Sequence, residues 1–237
     1  MQTSNFIGEL LGTLVLILLG NGVVANVLLK GSKGENAGWI SITAGWAFGV
    51  MTGIFVAQKF GSSAAHLNPA VTVAMAVRTG DWSNVVPFIT AQVIGAFLGA
   101  VLVWLAYLPH WSITEDKGAK LGIFATAPAI RHTTGNMMAE VIGTIVLIIA
   151  SSSFYSMPDS GYGPLLVGFL VWSIGLSLGG PTGYAINPAR DIGPRIAHAI
   201  LPIPGKGTSD WGYAWIPILG PVIGGVIAAL ILNAFHL

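Results

Sequence analysis

The 237-residue chain contains no cysteine and few charged residues, and both shortages restrict what it can be. Without cysteine it has neither disulfides nor thiolate metal sites, although that absence suits either side of a membrane. Charged residues make up 8% of the chain, where soluble proteins carry about 25%. Because 54% of the residues are hydrophobic, a water-facing surface cannot be covered, and the lipid bilayer is the expected environment.

The charge balance and the missing site motifs exclude further classes. A net charge of +1 predicts no nucleic-acid partner. The sequence contains no nucleophile–base set, metal-ligand cluster or phosphate-binding loop, so we expect neither an enzyme nor a metal or cofactor. Residues 1–7 lack the basic region of a secretory signal, so the first apolar run is expected to remain as a membrane span.

Long apolar runs predict an all-α integral membrane protein made of one domain over residues 1–237. Polar connections and connections with glycine or proline separate the runs. We expect repeat 1 at about 1–110, a connecting loop at about 108–135 and repeat 2 at about 136–237. The predicted spans lie near residues 6–29, 39–60, 85–107, 136–156, 163–180 and 214–235.

The triplet Asn-Pro-Ala occurs twice, as Asn68, Pro69 and Ala70 and as Asn187, Pro188 and Ala189. Each triplet predicts a helix start, because asparagine is a strong N-cap and proline fits the first helical position. The helices that follow would rise only about 16 and 21 Å, against a hydrocarbon core of about 30 Å. We therefore predict two re-entrant half-helices.

The two halves of the chain resemble each other beyond the triplets. Residues 8–13 read GELLGT and residues 139–144 read AEVIGT, while 93–96 read VIGA and 222–225 read VIGG. Because each half has three spans, an odd number, the second copy must enter the membrane from the opposite side. The half-helices can then meet near the midplane, where non-helical backbone must be buried or line a wet cavity. A pore is the economical interpretation.

Many of the 32 glycines recur at a spacing of four, which predicts closely packed helices. An alternative is that glycine is simply common in membrane helices. The pairs are Gly8 with Gly12, Gly95 with Gly99, and Gly220 with Gly224.

The residues around both triplets resemble the two signature loops of the aquaporin, or major intrinsic protein, family. They read AHLNPAVT at 65–72 and GYAINPARD at 183–191. The similarity covers nearly the whole chain, and two such triplets on opposed half-helices are highly specific. It implies an aquaporin-like fold with six transmembrane helices and two half-helices, a multi-pass plasma-membrane location and a homotetramer.

Within that family the chain is more similar to the glycerol-facilitator branch. Asp191 directly follows Arg190, and Gly175 lies where water-selective members carry histidine. The resemblance implies passive diffusion of glycerol, water and similar small neutral solutes, with protons and ions excluded. Alternatives are a facilitator for lactic acid, urea, a peroxide or dihydroxyacetone, an ion-coupled transporter, or a scaffold with a closed pore.

By resemblance, the selectivity filter comprises Trp46, Gly175, Tyr184 and Arg190. Because an unpaired guanidinium in hydrocarbon is costly, Arg190 should face the water path. The resemblance implies that it donates to permeant hydroxyls there and repels cations; the alternative is that it only pairs with Asp191 or a backbone carbonyl. Tyr184 departs from the phenylalanine of polyol facilitators, so its hydroxyl either narrows the filter or adds a donor. Phe48 is the rival to Trp46, although two residues along a helix point about 200° apart.

Other polar residues are expected to support the pore. The amides of Asn68 and Asn187 would donate to the permeant, and the half-helix dipoles would oppose cations. Glu9 and Glu140 are expected to hold the re-entrant loops rather than relay protons. The remaining expectations are that His66 lines the pore or braces its loop, that Asp191 holds neighbouring loop structure, and that His198 is structural.

Two expectations concern the membrane surfaces. Tryptophans default to an interfacial belt or a lipid-facing site, which we assign to Trp39, Trp82, Trp111, Trp211 and Trp215. The resemblance puts both termini in the cytoplasm, whereas the excess of lysine and arginine in the connections predicts the opposite orientation. We favour the resemblance, because the charge rule is statistical.

Overall fold

A computed structural model describes residues 2–155 and 161–236. These residues form α-helices joined by turns and irregular connections. In chain order the helices are α1 (Gln2–Leu28), α2 (Gly38–Lys59), α3 (Pro69–Thr79), α4 (Val85–Ala106), α5 (Leu108–Ile113), α6 (Lys117–Phe124), α7 (Thr133–Tyr155), α8 (Gly163–Leu178), α9 (Pro188–Ile200) and α10 (Ile216–Ala234).

Six of these helices correspond to the six predicted spans. Helices α1, α2, α4, α7 and α10 are long and apolar enough to cross a membrane. Helix α8 is equally apolar but has 16 residues, so it rises only about 24 Å. The protein is therefore an all-α membrane protein, in which α8 is the shortest of the six transmembrane helices.

The two half-helices, α3 and α9, begin at the prolines of the triplets, as predicted. The Asn68 side chain accepts a hydrogen bond from the Ala70 N–H at 2.9 Å. The Asn187 side chain accepts from the Ala189 N–H at 3.0 Å and the Arg190 N–H at 3.2 Å. Each asparagine thus satisfies backbone donors that a helix start leaves open.

The two halves of the chain interlock through the half-helices. Helix α3, from the first half, packs mainly against α10, and α9 packs mainly against α4 of the first half. The contacts are close: a Cβ at Gly225 would lie 2.9 Å from the Ala70 carbonyl oxygen, and one at Gly193 would lie 2.7 Å from the Ala96 Cβ. A larger side chain at either glycine would push a half-helix out of place.

Glycines also bring the long helices together, which confirms the packing predicted from their spacing. A Cβ at Gly99 of α4 would lie 2.5 Å from the Leu14 carbonyl oxygen of α1. In the second half, a Cβ at Gly224 of α10 would lie 2.5 Å from the Val141 carbonyl oxygen of α7. Both distances are shorter than any real contact of a Cβ, so only glycine permits these backbones to approach.

The connection predicted as a loop at 108–135 contains the short helices α5 and α6. Asp116 caps α6 by accepting from the Ala119 N–H at 3.0 Å. Trp111 of α5 is fully buried against Phe124 of α6, with ring centroids 5.7 Å apart. Its assignment to an interfacial belt was therefore wrong: protein, not lipid, surrounds this ring. Trp82, Trp211 and Trp215 are exposed, as expected.

Candidate pore and its lining

The re-entrant loops meet through two reciprocal hydrogen bonds. The Asn68 amide donates to the Ile186 carbonyl at 2.8 Å, and the Asn187 amide donates to the Leu67 carbonyl at 2.8 Å. Within the described part of the chain each amide nitrogen makes this one hydrogen bond, and an amide carries two N–H donors. One N–H of each asparagine is thus left for another acceptor.

The same unusual backbone precedes both asparagines. Ala65 and Leu67 have φ values of 44° and 50°, and Tyr184 and Ile186 have φ values of 40° and 43°. Residues other than glycine rarely adopt this left-handed backbone conformation, so contacts with the surrounding protein must hold each loop in it.

Glu9, fully buried in α1, holds the first loop. Its carboxylate accepts from the Ser62 hydroxyl at 2.7 Å, the His66 N–H at 2.8 Å and the Leu67 N–H at 2.7 Å. The Gln92 amide of α4 donates to it at 2.8 Å. These four donors replace the water that a carboxylate would otherwise need.

Glu140, almost fully buried in α7, does the same for the second loop. It accepts from the Thr182 hydroxyl at 2.6 Å, the Ala185 N–H at 2.9 Å and the Ile186 N–H at 2.8 Å. The donors match those of Glu9 by position, since in each loop the two residues before asparagine supply backbone N–H groups.

The direction of these N–H groups determines where the loop carbonyls point. All described peptide bonds are trans, so each carbonyl points opposite to the N–H of the next residue. The carbonyls of Ala65 and His66 therefore point away from Glu9, and those of Tyr184 and Ala185 point away from Glu140. All four residues line the central cavity, and we infer that these oxygens form a polar strip on its wall.

The central cavity has a volume of about 460 Å³ and two chemically different sides. One side consists of loop residues 63–68 and 184–187 together with Arg190. The rest of the lining is mostly apolar. It includes Leu16, Val50, Ile54, Leu147, Val167 and Val171, and its polar members are Arg78, Ser151 and Ser152.

At one part of the cavity, Arg190 and Trp46 stack. The Arg190 Cζ lies 4.2 Å from the centroid of the Trp46 ring, and both side chains are buried. This cation–π contact stabilises the charged Arg190 guanidinium where it has lost contact with bulk water. Phe48 is 51% exposed and does not line this cavity, so of the two rivals the structure places Trp46 beside Arg190.

Tyr184 occupies the space that the missing side chain of Gly175 leaves open. A Cβ at Gly175 would lie 2.8 Å from the Tyr184 Cζ and 3.0 Å from its hydroxyl oxygen. Gly175 itself does not line the cavity, whereas Tyr184 does. The Tyr184 hydroxyl, the Trp46 Nε1 and the Arg190 Nη1 are buried and make no hydrogen bond to the described residues.

Asp191 pairs with Arg195 rather than with Arg190. Its carboxylate accepts from the Arg195 Nε at 2.7 Å, and both side chains are fully buried. Asp191 also accepts from the Thr126 N–H at 2.8 Å. Arg195 donates on to the Ser209 carbonyl at 2.7 Å, so this pair ties α9 to the connection after α6 and to the connection that follows α9.

The two histidines near the half-helices have different surroundings. His66 lines the cavity, and its Nδ1 lies 3.1 Å from the Thr72 hydroxyl. His198 is fully buried, with its Nδ1 2.8 Å from the Ser209 hydroxyl. Neither belongs to a cluster of three metal-ligating side chains among the described residues, and His198 packs on Phe124.

Sequence reasoning missed several residues that support this site. Arg195 was detectable from its spacing of four after Asp191 on a helix. Gln92 and Thr126 gave no local signal, because they reach Glu9 and Asp191 only through the tertiary fold. Trp39, assigned to the interfacial belt, is 40% exposed but contacts Tyr184 edge-on at 5.9 Å and donates to the Gly175 carbonyl at 3.0 Å.

Comparison with known proteins places this arrangement in a family. The model of the family described as "Major intrinsic protein" matches residues 2–232. The chain belongs to the major intrinsic protein family. Members of this family are channels rather than enzymes, and the multi-pass membrane architecture agrees with that membership.

The chain is similar to family members from bacteria and to a member from Plasmodium falciparum whose structure has been solved. The "Probable glycerol uptake facilitator protein" of Thermotoga maritima is 56% identical, over 97% of this chain and 98% of that protein. The "Glycerol uptake facilitator protein" of Bacillus subtilis is 52% identical, over 97% of this chain and 84% of that protein. The X-ray structure of the aquaglyceroporin from Plasmodium falciparum aligns with a TM-score of 0.85 at 30% identity, covering 98% and 96% of the two chains.

Proposed function

We propose that this protein is a passive transmembrane channel for glycerol, water and similar small neutral solutes. The observation that carries the proposal is the two-sided cavity, with a strip of loop oxygens and Arg190 facing an apolar wall. A polyol has hydroxyl groups along one edge and C–H groups along the other, so it can satisfy both walls at once. The names of the similar proteins agree with this solute class.

The paired asparagines orient the solute at the centre. Each amide keeps one N–H after the reciprocal bond to the opposite loop, and both side chains line the cavity. A hydroxyl or water oxygen that accepts from both asparagines must turn its own hydrogens away from them. Waters on the two sides of this point are then oriented in opposite directions, which interrupts proton transfer along the row of waters in the pore.

Positive charge excludes cations. The half-helices α3 and α9 point their N-termini at the meeting of the two loops, where their dipoles contribute positive potential. Arg190 adds a full charge at the filter, and its Nη1 has no hydrogen-bond partner in the described residues. A permeant oxygen supplies that partner, whereas a cation is repelled.

Glu9 and Glu140 brace the loops and take no part in transport. All their contacts in the described structure are donors that suit an ionised carboxylate, and neither residue lines the cavity. A proton relay would need access to the permeation path. This position disfavours an ion-coupled transporter.

Stopped-flow light scattering on proteoliposomes tests the channel proposal. After an inward glycerol step we expect reswelling well above that of protein-free vesicles, and no accumulation beyond equilibrium. Equal inward concentration steps of urea and of lactic acid compare the permeability of these neutral solutes with that of glycerol. Glycerol reswelling at the protein-free rate, together with fast osmotic shrinkage, would contradict the proposal and indicate a water channel. Uphill accumulation that requires Glu9 or Glu140 would indicate a coupled transporter.

We also propose that the channel works as a homotetramer in the plasma membrane with both termini in the cytoplasm. The absence of cysteine provides a clean orientation test. Lys33 and Lys59 are exposed near opposite ends of α2. In intact cells, an impermeant maleimide should label Lys33→Cys and not Lys59→Cys; the reverse pattern would overturn the orientation. Mass measurement of the purified detergent complex tests the tetramer.

A further inference from the structure

We infer that Trp39 is a positioning residue of the selectivity filter, which holds the Tyr184 ring in place and so sets the cross-section of the solute that passes. This inference rests on the proposed channel function. It starts from the observation that nothing polar fixes the tip of the Tyr184 side chain. The Tyr184 hydroxyl is buried and makes no hydrogen bond within the described part of the chain. The position of the ring is therefore determined by packing.

Gly175 of α8 and Gly179, the residue that caps the end of α8, form the floor beneath the ring. A Cβ at Gly175 would lie 2.8 Å from the Tyr184 Cζ, and a Cβ at Gly179 would lie 2.5 Å from the Tyr184 Cδ1. These glycines are four residues apart, so they share one face of the helix. Because this floor carries no side chains, the ring can lie close to the helix backbone, but the glycines do not prevent the ring from moving sideways.

Trp39 supplies the side wall. Its ring contacts Tyr184 edge-on, with centroids 5.9 Å apart and an interplanar angle of 84°. The Trp39 Nε1–H donates to the Gly175 carbonyl at 3.0 Å, which fixes the indole to the same helix that forms the floor. A Cβ at Gly179 would also lie 2.9 Å from the Trp39 Cζ2. Trp39 therefore holds Tyr184 from the side, while the cavity face of Tyr184 stays open to the solute.

Removing the wall should let the ring move away from the filter. In Trp39→Ala the Tyr184 ring gains space on the side away from the pore, and the filter widens. An edge-to-face aromatic pair contributes enough to change a population by about two- to tenfold. We expect the ratio of glycerol to xylitol permeability to fall by about that factor, mainly because xylitol enters faster.

The test is a double-mutant cycle in proteoliposomes, read as the glycerol to xylitol ratio. Trp39→Phe keeps a ring but loses the N–H donor, so its ratio should lie between those of the unsubstituted protein and Trp39→Ala. If Trp39 acts through Tyr184, Trp39→Ala should change nothing further in a Tyr184→Ala background. Trp82→Ala, which removes a tryptophan that is 55% exposed, is the matched control and should leave the ratio unchanged.

A second readout does not depend on transport. Fluorine NMR of protein labelled with 3-fluorotyrosine gives a Tyr184 signal, assigned by its loss in Tyr184→Phe. We expect that signal to shift or broaden in Trp39→Ala and to stay unchanged in Trp82→Ala. If the unsubstituted protein fails to conduct glycerol, the channel proposal fails, and the fluorine signal still decides whether Trp39 positions Tyr184.

Three results would overturn the inference. The first is an unchanged Tyr184 signal in Trp39→Ala. The second is an equal change in glycerol and xylitol permeability, which indicates a general loss of folded channel. The third is an effect of Trp39→Ala that persists at full size in the Tyr184→Ala background.

Discussion

Replacing Glu140 with glutamine should disable the second re-entrant loop while leaving the shape of the side chain almost unchanged. One carboxylate oxygen accepts from the Thr182 hydroxyl and the Ala185 N–H, and the other accepts from the Ile186 N–H. Glutamine keeps one acceptor oxygen but presents an NH₂ group where the second oxygen stood. If the amide keeps its oxygen toward Thr182 and Ala185, the NH₂ group faces the Ile186 N–H and that donor is left buried and unpaired.

The magnitude follows from these three bonds. An unpaired buried donor costs about 1–3 kcal/mol, and two bonds that change from charged to neutral acceptors lose roughly 1 kcal/mol each. The total of about 3–5 kcal/mol acts on a loop that already holds Tyr184 and Ile186 at positive φ. Since about 1.4 kcal/mol changes a population tenfold, we expect glycerol permeability per folded protein to fall at least tenfold.

The assay measures the rate at which proteoliposomes reswell with glycerol in a stopped-flow instrument. That rate is divided by the amount of folded protein, which size-exclusion chromatography gives. Glu35→Gln, on an exposed carboxylate that accepts from the Gly31 N–H, is the matched control. Normal glycerol permeability in Glu140→Gln would refute the bracing argument, because it would mean that the loop holds its shape without the charge. Uphill accumulation by the unsubstituted protein that Glu140→Gln abolishes would instead indicate a coupled transporter.

Two further predictions concern stability. Gly99→Ala should lower the thermal unfolding midpoint in detergent, because the new methyl would lie 2.5 Å from a carbonyl oxygen of α1. Gly22→Ala should leave the midpoint unchanged, because a Cβ there meets nothing within 4 Å. Equal midpoints in the two variants would contradict the close packing of α4 on α1. Asp191→Asn should destabilise the protein by about 3–5 kcal/mol, because it leaves the fully buried Arg195 guanidinium without its carboxylate. Arg131→Gln, on an exposed ion pair, should cost less than about 1 kcal/mol in the same denaturation measurement, and similar losses in both variants would refute the distinction.

The half-helices were predictable because their signals are local. Asparagine and proline act on the backbone within three residues, so the starts of α3 and α9 follow from the triplets themselves. The spans followed from length and composition in the same way. The caps and the spans needed no knowledge of which helix lies beside which.

The contacts that sequence reasoning missed depend on neighbours that only the fold brings together. Trp111 was assigned to the lipid interface because a tryptophan ring suits lipid and protein interior equally well, and only the fold brings Phe124 against it. Trp39 lies at the start of α2, and its contact with Tyr184 exists only because α8 lies beside α2. The helices of the 108–135 connection were missed although Asp116 carried a capping signal.

The crossed hydrogen bonds between the two loops imply an order of assembly during synthesis. The amide of Asn68 bonds to a carbonyl that is made more than a hundred residues later, and α3 packs mainly on α10, the final helix. When only the first half has left the ribosome, the loop around Asn68 has polar groups inside the membrane without their final partners. Those groups need water or another protein until the second half arrives. The permeation path therefore cannot be complete before the second half has been made, so a chain released early cannot contain a finished pore.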